Sequence, residues 1–394
     1  MKYMEAATVV AKLEEVPLGK RVLDCVGELG NVWLVGGAVR DLILGRSPLE
    51  VDLLVEGQLD EVLALLGGSQ QRFDRFDTAT VELEEGTVDI AASRSETYPH
   101  PGALPVVAPA AVSEDILRRD FTINAVAVNL DQPTFVAHPD ALADLSEGIV
   151  RVLHDQSFAD DPTRVWRCAR YAVRLGFQVD QHTAELAAAA GPGMTSGERF
   201  GHELRLSLRE TDPTQIFTLV QSLNPAALIE GFEPRPSGLS SALDLLPQDA
   251  SRELTTLAAC CAGVEMSLLT RWLDYMQFSA DERDLVAAAS RWVTGEPLRA
   301  ADRRSQIGRA ARGAPIEAVA LAGGANARLW IEELRFVKLE IDGDDLIATG
   351  VARGPLIGSA LEHTLDLTLD GEVRGRQEQI DAALTHVEQA VQGQ

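Results

Sequence analysis

The segment from Leu34 to Gly57, LVGGAVRDLILGRSPLEVDLLVEG, constrains the fold more than any other part of the chain. Apolar residues from Val32 to Val35 predict a short strand, and Gly36 and Gly37 predict a turn without side chains. Ala38 to Leu44 then predicts a helical turn that the next glycine ends. Backbone amides at such a helix start point outward, so this order of elements predicts a cradle for phosphate groups.

Two carboxylates follow in a second predicted strand, Glu50 to Val55. Glu50 and Asp52 lie two positions apart and therefore project from the same face. Adjacent carboxylates repel each other unless cations bind them, and Mg²⁺ is commonly held by one or two carboxylates together with substrate phosphates. Arg40, one turn into the helix, offers a guanidinium to phosphate oxygens. An ordinary turn and an exposed strand edge explain either element alone, but their combination favours a site for nucleotidyl transfer.

A third carboxylate lies in a later alternating segment. In Thr87 to Ala91, TVDIA, Val88 and Ile90 face one way and Asp89 the other. Asp89 is therefore a candidate third member of the carboxylate pair, although an exposed strand aspartate explains the spacing equally well. The residues that follow, 93–105, contain three prolines and a glycine and predict a loop.

Composition bounds the protein class. A chain of 394 residues is long enough for more than one domain, and its net charge of −25 means that nucleic acid can be bound only by local basic patches. The 4 cysteines have neither zinc-ligand spacing nor a disulfide pattern. Acidic residues interrupt the N-terminus, and no apolar run reaches the ~18 residues of a membrane span. We expect a soluble, cytoplasmic protein without a membrane partner.

Two motifs together resemble the class II tRNA nucleotidyltransferase and bacterial poly(A) polymerase family. They are the segment described above and residues 114–127, EDILRRDFTINAVA, which is similar to the RRDxxxNA motif of the family. The resemblance implies an α+β fold whose polymerase β-like head has a mixed sheet with helices. It also implies Mg²⁺ at the carboxylate pair, and nucleotide-binding or active-site positioning roles for Arg119, Asp120 and Asn124. One departure is that the chain has Glu50 and Asp52 where the family has Asp-x-Asp.

A third motif, residues 160–177 with the sequence DDPTRVWRCARYAVRLGF, resembles the EDxxR templating motif, with aspartate in place of glutamate. Asp161, Arg164, Arg167 and Arg170 recur every three residues, which predicts one side of a helix. The resemblance implies that Asp161 and Arg164 read the incoming base. A carboxylate accepts from the exocyclic amine of cytosine or adenine and would face a carbonyl in uracil or guanine. Arg167 and Arg170 are then expected to contact phosphates or the bound nucleotide.

The rest of the chain predicts helices, and the resemblance implies a division into four parts: a nucleotidyltransferase head at 1–145, a base-selecting neck at 146–225, a body at 226–320 and a tRNA-binding tail at 321–394. In the neck, residues 196–204, SGERFGHEL, resemble a short ERxxxEL motif that braces the templating helix. Predicted helices include 183–190, 214–223, 251–273 and 282–293. A basic cluster in the body is either a tRNA backbone site or a solvated helix face; it comprises Arg299, Arg303, Arg304, Arg309 and Arg312.

The resemblance implies a CCA-adding enzyme that extends tRNA 3′ ends with CTP and ATP without a nucleic-acid template. Alternatives within the family are a CC-adding or A-adding specialist and a poly(A) polymerase. An alternative from another class is a noncatalytic tRNA-binding protein, in which Glu50 would be the sign of a lost metal-binding geometry. The sequence does not define an oligomeric state.

Overall fold

The computed structural model describes residues 4–48, 50–57, 59–73, 77–97, 106–191, 196–293 and 295–392. The chain forms two compact units, residues 1–228 and 229–394. The expected boundary between neck and body, at 225, lies close to the division between these units. The expected boundaries at 145 and 320 lie inside them.

The first unit is built around a mixed seven-stranded sheet with the order β3-β4-β5-β2-β1-β8-β9. In this sheet β2 and β5 are parallel, and the other neighbouring strands are antiparallel. The strands of the unit are β1 (Val32–Val35), β2 (Val51–Val55), β3 (Ser69–Phe73), β4 (Thr78–Leu83), β5 (Gly86–Ala92), β6 (Arg94–Thr97), β7 (Val106–Pro109), β8 (Val126–Asn129), β9 (Phe135–Ala137), β10 (Ile149–Val150) and β11 (Gln178–Val179).

Helices cover this sheet, and helices together with the short strands β10 and β11 form the remainder of the unit. They are α1 (Ala6–Glu14), α2 (Pro17–Val26), α3 (Gly36–Ile43), α4 (Asp60–Leu66), α5 (Val112–Leu117), α6 (Ala141–Glu147), α7 (Ser157–Asp160), α8 (Arg164–Leu175), α9 (Gln181–Ala189), α10 (Gly197–Leu208) and α11 (Pro213–Leu223). A 3₁₀ turn at Thr122–Asn124 leads into β8.

One face of the sheet packs with α1 to α4 around the main apolar core, which includes Leu53 of β2 and Ile90 of β5. Successive residues of a strand point to opposite faces, so Asp52 and Asp89 project from the other face. Helix α5 covers part of that second face with a smaller apolar cluster. The mixed-sheet head and the helical remainder confirm the expected α+β fold class.

Several expected elements differ in detail. The helix after β1 begins at Gly36, two residues earlier than expected, because Gly36 takes a φ of +63° and the chain turns directly into the helix. The expected loop at 93–105 was wrong in its first part, since β6 pairs antiparallel with β7. Residues 98–105, which include Pro99, Pro101 and Gly102, lie outside the described residues. Two short strands, β10 and β11, also form a parallel pair beyond the head, where none was expected.

Helices are the only regular secondary structure among the described residues of the second unit. Its helices are α12 (Leu239–Leu245), α13 (Arg252–Cys260), α14 (Met266–Tyr275), α15 (Ala280–Ser290), α16 (Glu296–Arg299), α17 (Arg304–Ala311), α18 (Ile316–Ala322), α19 (Gly324–Glu332), α20 (Gly343–Ala348), α21 (Pro355–Leu369) and α22 (Gly375–Gln392). In the part of the chain that the structure describes, none of the helices combines the length and the apolar character needed to cross a membrane.

The single helix expected at 251–273 was wrong, because the structure divides it into α13 and α14. A Cβ at Gly263 would lie 2.9 Å from the carbonyl oxygen of Gly231, so two backbone segments approach each other closely at the break. The side chain of Glu265 then caps α14 by accepting from the amides of Ser267 and Leu268, each at 2.9 Å. Close packing and a local cap therefore outweigh the helical periodicity across this segment.

Acidic partners engage the basic cluster of the second unit. Arg303 pairs with Asp370 at 2.7 Å and Arg304 with Glu333 at 2.9 Å. The remaining arginines bond to a carbonyl or to carboxylates of α21: Arg299 to Ala322, Arg309 to Asp366, and Arg312 to Glu362. Pairing reduces the positive field of a surface. Of the two readings, this favours a helix face with internal ion pairs.

Candidate active site

Three carboxylates meet on the open face of the sheet. Asp52 of β2 and Asp89 of β5 are direct partners in the parallel pair, and Glu50 immediately precedes β2. One carboxylate oxygen from each lies within 4.8 Å of the others, and the hydroxyl of Thr80 donates to Asp89 at 2.7 Å. Burial raises the pKa of Asp52 to about 6, with repulsion from Asp89 and Glu50 adding to it and Arg119 opposing it. Crowded oxygen donors of this kind fit a divalent metal ion.

The glycine turn lies beside this cluster, with the ends of two arginine side chains packed against it. A Cβ at Gly36 would lie 2.7 Å from Nη1 of Arg119, and one at Gly37 would lie 3.4 Å from Nη2 of Arg40. Arg119 is partly buried, and its Nε, which is fully buried, has no hydrogen-bond partner among the described residues. Burial lowers the pKa of this guanidinium although Asp115 opposes the change. An unpartnered buried donor next to bare backbone indicates a site for an anionic ligand.

Arg40 lies behind the glycine turn and is not the free phosphate fork that the sequence suggested. Its side chain is buried; Nε donates to Asp41 at 2.8 Å, and Nη1 donates to the side-chain oxygen Oδ1 of Asn124 at 2.7 Å. Its guanidinium also stacks over the ring of Tyr171, 5.3 Å from the centroid. These contacts connect α3 to the 3₁₀ turn and to α8. Arg40 therefore fixes the position of the cradle from behind.

A polar cavity of about 420 Å³ opens in front of the glycine turn. Arginines outnumber carboxylates among its described lining residues, so the cavity is cationic within a chain of net charge −25. The lining consists of Gly36, Gly37, Asp52, Arg94, Glu96, Arg118, Arg119, Asp120, Asn124, Asp161, Arg164, Arg167, Tyr171 and Arg199. A local concentration of arginines is what an acidic chain needs in order to bind a polyphosphate.

The RRD segment supplies one wall of the cavity. Asp115, which is fully buried, accepts from Arg118 at 2.8 Å and pairs with Arg119 at 3.3 Å. Asp120 accepts from the amide of Asn124 at 3.0 Å and pairs with Arg167 at 2.6 Å. Burial would raise the pKa of Asp120, but Arg167 and the hydrogen bond from Asn124 outweigh it and lower the value to about 2. Asp120 is therefore a permanent anion that orients Arg167.

Asp161 and Arg164 both reach the cavity, although not from one helix. Helix α8 begins at Arg164, and Asp161 lies in extended backbone between α7 and α8. The expectation that all four residues share one helix side was therefore wrong for Asp161. Its carboxylate accepts from the hydroxyl of Thr163 at 2.6 Å and pairs with Arg199 at 2.6 Å. Arg164 donates to the hydroxyl of Ser157, also at 2.6 Å. The two side chains are thus held by neighbours before any ligand binds.

Arg167 and Arg170 differ in their position. Arg167 lines the cavity, whereas Arg170 is buried against Glu203 at 2.9 Å and does not belong to the described lining. The expected contact of Arg170 with the nucleotide therefore has no support in the structure. Glu203 also pairs with Arg167 at 3.1 Å, so its carboxylate braces two arginines of α8. The carboxylate of the ERxxxEL segment thus has the bracing geometry expected of it, and Ser196 occupies the N-cap of α10 without a side-chain bond.

Sequence reasoning missed Tyr171 entirely and assigned Arg199 only to bracing. The ring of Tyr171 lies under three guanidinium groups, with centroid distances of 5.3 Å to Arg40, 5.6 Å to Arg167 and 5.1 Å to Arg170. Cations are attracted to the negative face of an aromatic ring, so one side chain holds three like charges close together. An aromatic residue four positions after Arg167 was the signal available in the sequence.

Comparison with known proteins agrees with this geometry. A family model described as the poly A polymerase head domain matches residues 32–152. The A-adding tRNA nucleotidyltransferase of Halalkalibacterium halodurans is 39% identical over 208 residues, which cover 49% of each chain. The CC-adding tRNA nucleotidyltransferase of Deinococcus radiodurans is 32% identical over 359 residues, covering 88% of this chain and 87% of that protein. A solved structure of a CCA-adding enzyme in an apo form has a TM-score of 0.80 at 26% identity, covering 98% of this chain and 100% of the other.

The mixed sheet, its carboxylate cluster and the adjoining cationic cavity define the nucleotidyltransferase class of fold. Within that class, the chain belongs to the tRNA nucleotidyltransferase family. It spans about half or less of the length of the A-adding relatives that it matches.

Proposed function

We propose that this protein is a CCA-adding tRNA nucleotidyltransferase, which transfers CMP and AMP from CTP and ATP to the 3′ end of tRNA with Mg²⁺. One observation carries the proposal: Asp52 of the carboxylate cluster also lines the cationic cavity that contains Asp161 and Arg164. Metal-holding, polyphosphate-binding and base-reading groups therefore converge within one site. The names of the relatives, which include A-adding, CC-adding and CCA-adding enzymes, support the same reaction class.

The residues of the chain suit each part of the transfer. Arg119 and the bare amides of Gly36 and Gly37 bind the triphosphate. The 3′ hydroxyl oxygen of the RNA forms a bond to the α-phosphorus, the bond from that phosphorus to the bridging oxygen breaks, and pyrophosphate leaves with the hydroxyl proton released. Glu50, Asp52 and Asp89 would hold Mg²⁺, which supplies activation of the hydroxyl and neutralisation of the leaving group.

Base choice follows from the hydrogen-bonding groups of Asp161 and Arg164. The Asp161 carboxylate accepts from the exocyclic amine of cytosine or adenine, and the Arg164 guanidinium donates to a ring nitrogen or carbonyl. Uracil or guanine would place a carbonyl against the carboxylate and leave both acceptors unpaired, which is strongly unfavourable in a buried site. Arg199 already pairs with Asp161, so the base must enter a preformed hydrogen-bond network.

Incorporation by the purified protein tests the proposal. A tRNA that ends at its discriminator base is incubated with Mg²⁺ and with CTP, ATP or both, and products are sized at single-nucleotide resolution. We expect three added nucleotides when both substrates are present. A product that stops at CC identifies a CC-adding specialist, and extension only of a tRNA that already ends in CC identifies an A-adding one. A long A tail identifies a poly(A) polymerase.

Variants separate catalysis from binding in the same assay. Asp89→Asn removes a carboxylate of the cluster and is expected to abolish incorporation, whereas Asp24→Asn, on the exposed side of α2, serves as the matched control. If the wild-type chain binds tRNA but incorporates no nucleotide, and Glu50→Asp restores activity, the noncatalytic alternative replaces the proposal.

A further inference from the structure

Two buried hydroxyl groups lie behind the carboxylate and the guanidinium to which base choice is assigned. Ser157 begins α7 and is fully buried, and Thr163, the N-cap of α8, is 3% exposed. Neither residue belongs to the described lining of the cationic cavity, whereas Asp161 and Arg164 do. The hydroxyl of Thr163 donates to Oδ1 of Asp161, and the hydroxyl of Ser157 accepts from Nη1 of Arg164, both at 2.6 Å. One hydroxyl therefore holds each of the two groups from behind.

The local sequence explains how Thr163 reaches Asp161. A residue that precedes proline is disfavoured in the helical conformation, and Asp161, which precedes Pro162, has an extended backbone with a φ of −143°. This break separates α7 from α8. The side chain of Asp161 then turns toward the start of α8, where the amide of Thr163 also donates to Oδ1, at 3.1 Å. Aspartate commonly accepts from the amide two residues on, so this turn follows from the sequence itself.

The hydrogen bonds of Asp161 leave little of its capacity for a ligand. A carboxylate offers about four acceptor positions, half of them on each oxygen. Thr163 donates to Oδ1 from both its amide and its hydroxyl, and Arg199 pairs with Oδ2 at 2.6 Å. The described residues therefore leave one acceptor position open, on Oδ2. A single open acceptor suits one exocyclic amine, and a carbonyl placed there would leave two acceptors facing each other.

The guanidinium of Arg164 is constrained in the same way. Its side chain is buried, and two different nitrogens are engaged: Nη1 donates to the hydroxyl of Ser157, and Nη2 donates to the carbonyl oxygen of Arg118 at 3.3 Å. Because a guanidinium is planar, two bonds from separate nitrogens fix the plane in which its remaining N–H groups point. That plane decides which atoms of a base can accept from Arg164.

We propose that Ser157 and Thr163 are positioning residues for base selection, which orient Arg164 and hold Asp161 with one open acceptor. This inference rests on the proposed function, because it takes Asp161 and Arg164 as the groups that read the base. Without the hydroxyl of Thr163, the carboxylate is free to rotate toward Arg199 and loses its contact with the exocyclic amine. Without the hydroxyl of Ser157, the guanidinium loses the bond that fixes its plane. Neither change affects the groups assigned to the triphosphate.

Kinetics of single-nucleotide addition test the two hydroxyls. Thr163→Val and Ser157→Ala remove them, Thr163→Ser keeps one, and Thr255→Val removes a buried hydroxyl of the second unit that donates to the carbonyl of Ser251. A hydrogen bond to a charged group is worth roughly 10- to 100-fold in affinity. We expect Thr163→Val and Ser157→Ala each to lower the ratio of kcat/KM for CTP to kcat/KM for UTP about tenfold, through a higher KM for CTP. Thr163→Ser and Thr255→Val should match the wild type. An unchanged ratio in Thr163→Val and Ser157→Ala would overturn the inference.

A binding experiment separates this inference from the proposed function. Each protein is titrated calorimetrically with CTP, ATP, UTP and inorganic tripolyphosphate in EDTA and without RNA, where no transfer occurs. We expect Thr163→Val and Ser157→Ala to raise the Kd for CTP and ATP about tenfold and to leave the Kd for UTP and tripolyphosphate unchanged. An equal loss of tripolyphosphate affinity would mean a general collapse of the cavity and would overturn the inference even if the enzyme is active. Wild-type protein that shows the expected differences from its variants but adds no nucleotide would overturn the proposed activity and leave the inference supported.

Discussion

Replacement of Asp52 by asparagine is expected to stabilise the first unit while it removes activity. Asparagine resembles the protonated carboxyl, which is the form that the folded site prefers, since burial and the neighbouring carboxylates raise the pKa of Asp52 from 3.8 to about 6. At ~1.4 kcal/mol for each tenfold change in proton affinity, this rise corresponds to ~3 kcal/mol of strain in the charged form. Without metal, the variant should be more stable by about that amount at pH 7.5.

The pH dependence fixes the sign of this effect. A raised folded-state pKa means that the contribution of Asp52 to stability is fully present below pH 3.8 and is lost as the pH rises through about 6. The advantage of Asp52→Asn should therefore be small at about pH 3.5, grow between about pH 4 and pH 6, and be nearly constant above about pH 6.5. If Mg²⁺ binds the wild-type site as proposed, its addition should reduce the difference.

Because the chain has two compact units, the assay must report on the first unit alone. Hydrogen exchange of amides in β2 and β5 in EDTA measures the opening free energy of the strands that hold the cluster. Asp24→Asn, an exposed exchange of the same kind, controls for the loss of one negative charge. The reasoning is refuted if Asp52→Asn exchanges faster than the wild type at pH 7.5, or if their difference does not change with pH.

Further expectations concern the metal, base choice, packing and RNA affinity. Affinity for Mn²⁺, followed by electron paramagnetic resonance, should fall as the pH drops below about 6, because Asp52 then takes up a proton; a flat profile from pH 5 to 8 would contradict this. Asp161→Ala should lower the ratio of kcat/KM for CTP to kcat/KM for UTP at least tenfold, while the Kd for tRNA stays within twofold of the wild type. An unchanged ratio would exclude a role of Asp161 in base selection. Arg170→Met should destabilise the first unit by about 3 kcal/mol, since Glu203 loses a buried partner. The double variant with Glu203→Gln should recover part of this loss, as measured by hydrogen exchange of amides in α8. Arg312→Ala should leave the Kd for tRNA within twofold in a filter-binding assay, because Arg312 already pairs with an acidic residue; a tenfold loss would restore the basic cluster as an RNA site.

The carboxylate cluster was largely predictable because strand periodicity decides which face a residue occupies. The spacing of two between Glu50 and Asp52 was enough to predict that they share a face. The alternation around Asp89 predicted that its side chain lies on the face opposite to its apolar neighbours. The sequence did not show that β5 pairs in parallel with β2. That pairing depends on how the whole sheet is ordered, and it decides that Asp89 lies beside Asp52.

The roles of the arginines were less predictable, because a guanidinium reaches far and its partner depends on tertiary packing. Arg40 and Arg170 have the spacing of ligand-binding residues, yet Asn124 and Glu203 engage them inside the protein. The start of α8 at Arg164 was equally hidden, since a periodicity of three continues through Asp161 although the backbone there is extended. Sequence spacing therefore identified the right neighbourhood but not which cations face the ligand.

The parallel pairing of β2 with β5 also limits where insertions and deletions can be tolerated in the chain. An insertion in the turn between β4 and β5 only lengthens a surface connection, and the strand partners keep their places. One residue added or removed within β5 ahead of Asp89 would rotate every later side chain to the opposite face, moving Asp89 into the apolar core and Ile90 into the site. We therefore expect length variation among relatives to accumulate at hairpin ends and to be excluded from the strand segments that precede the carboxylates.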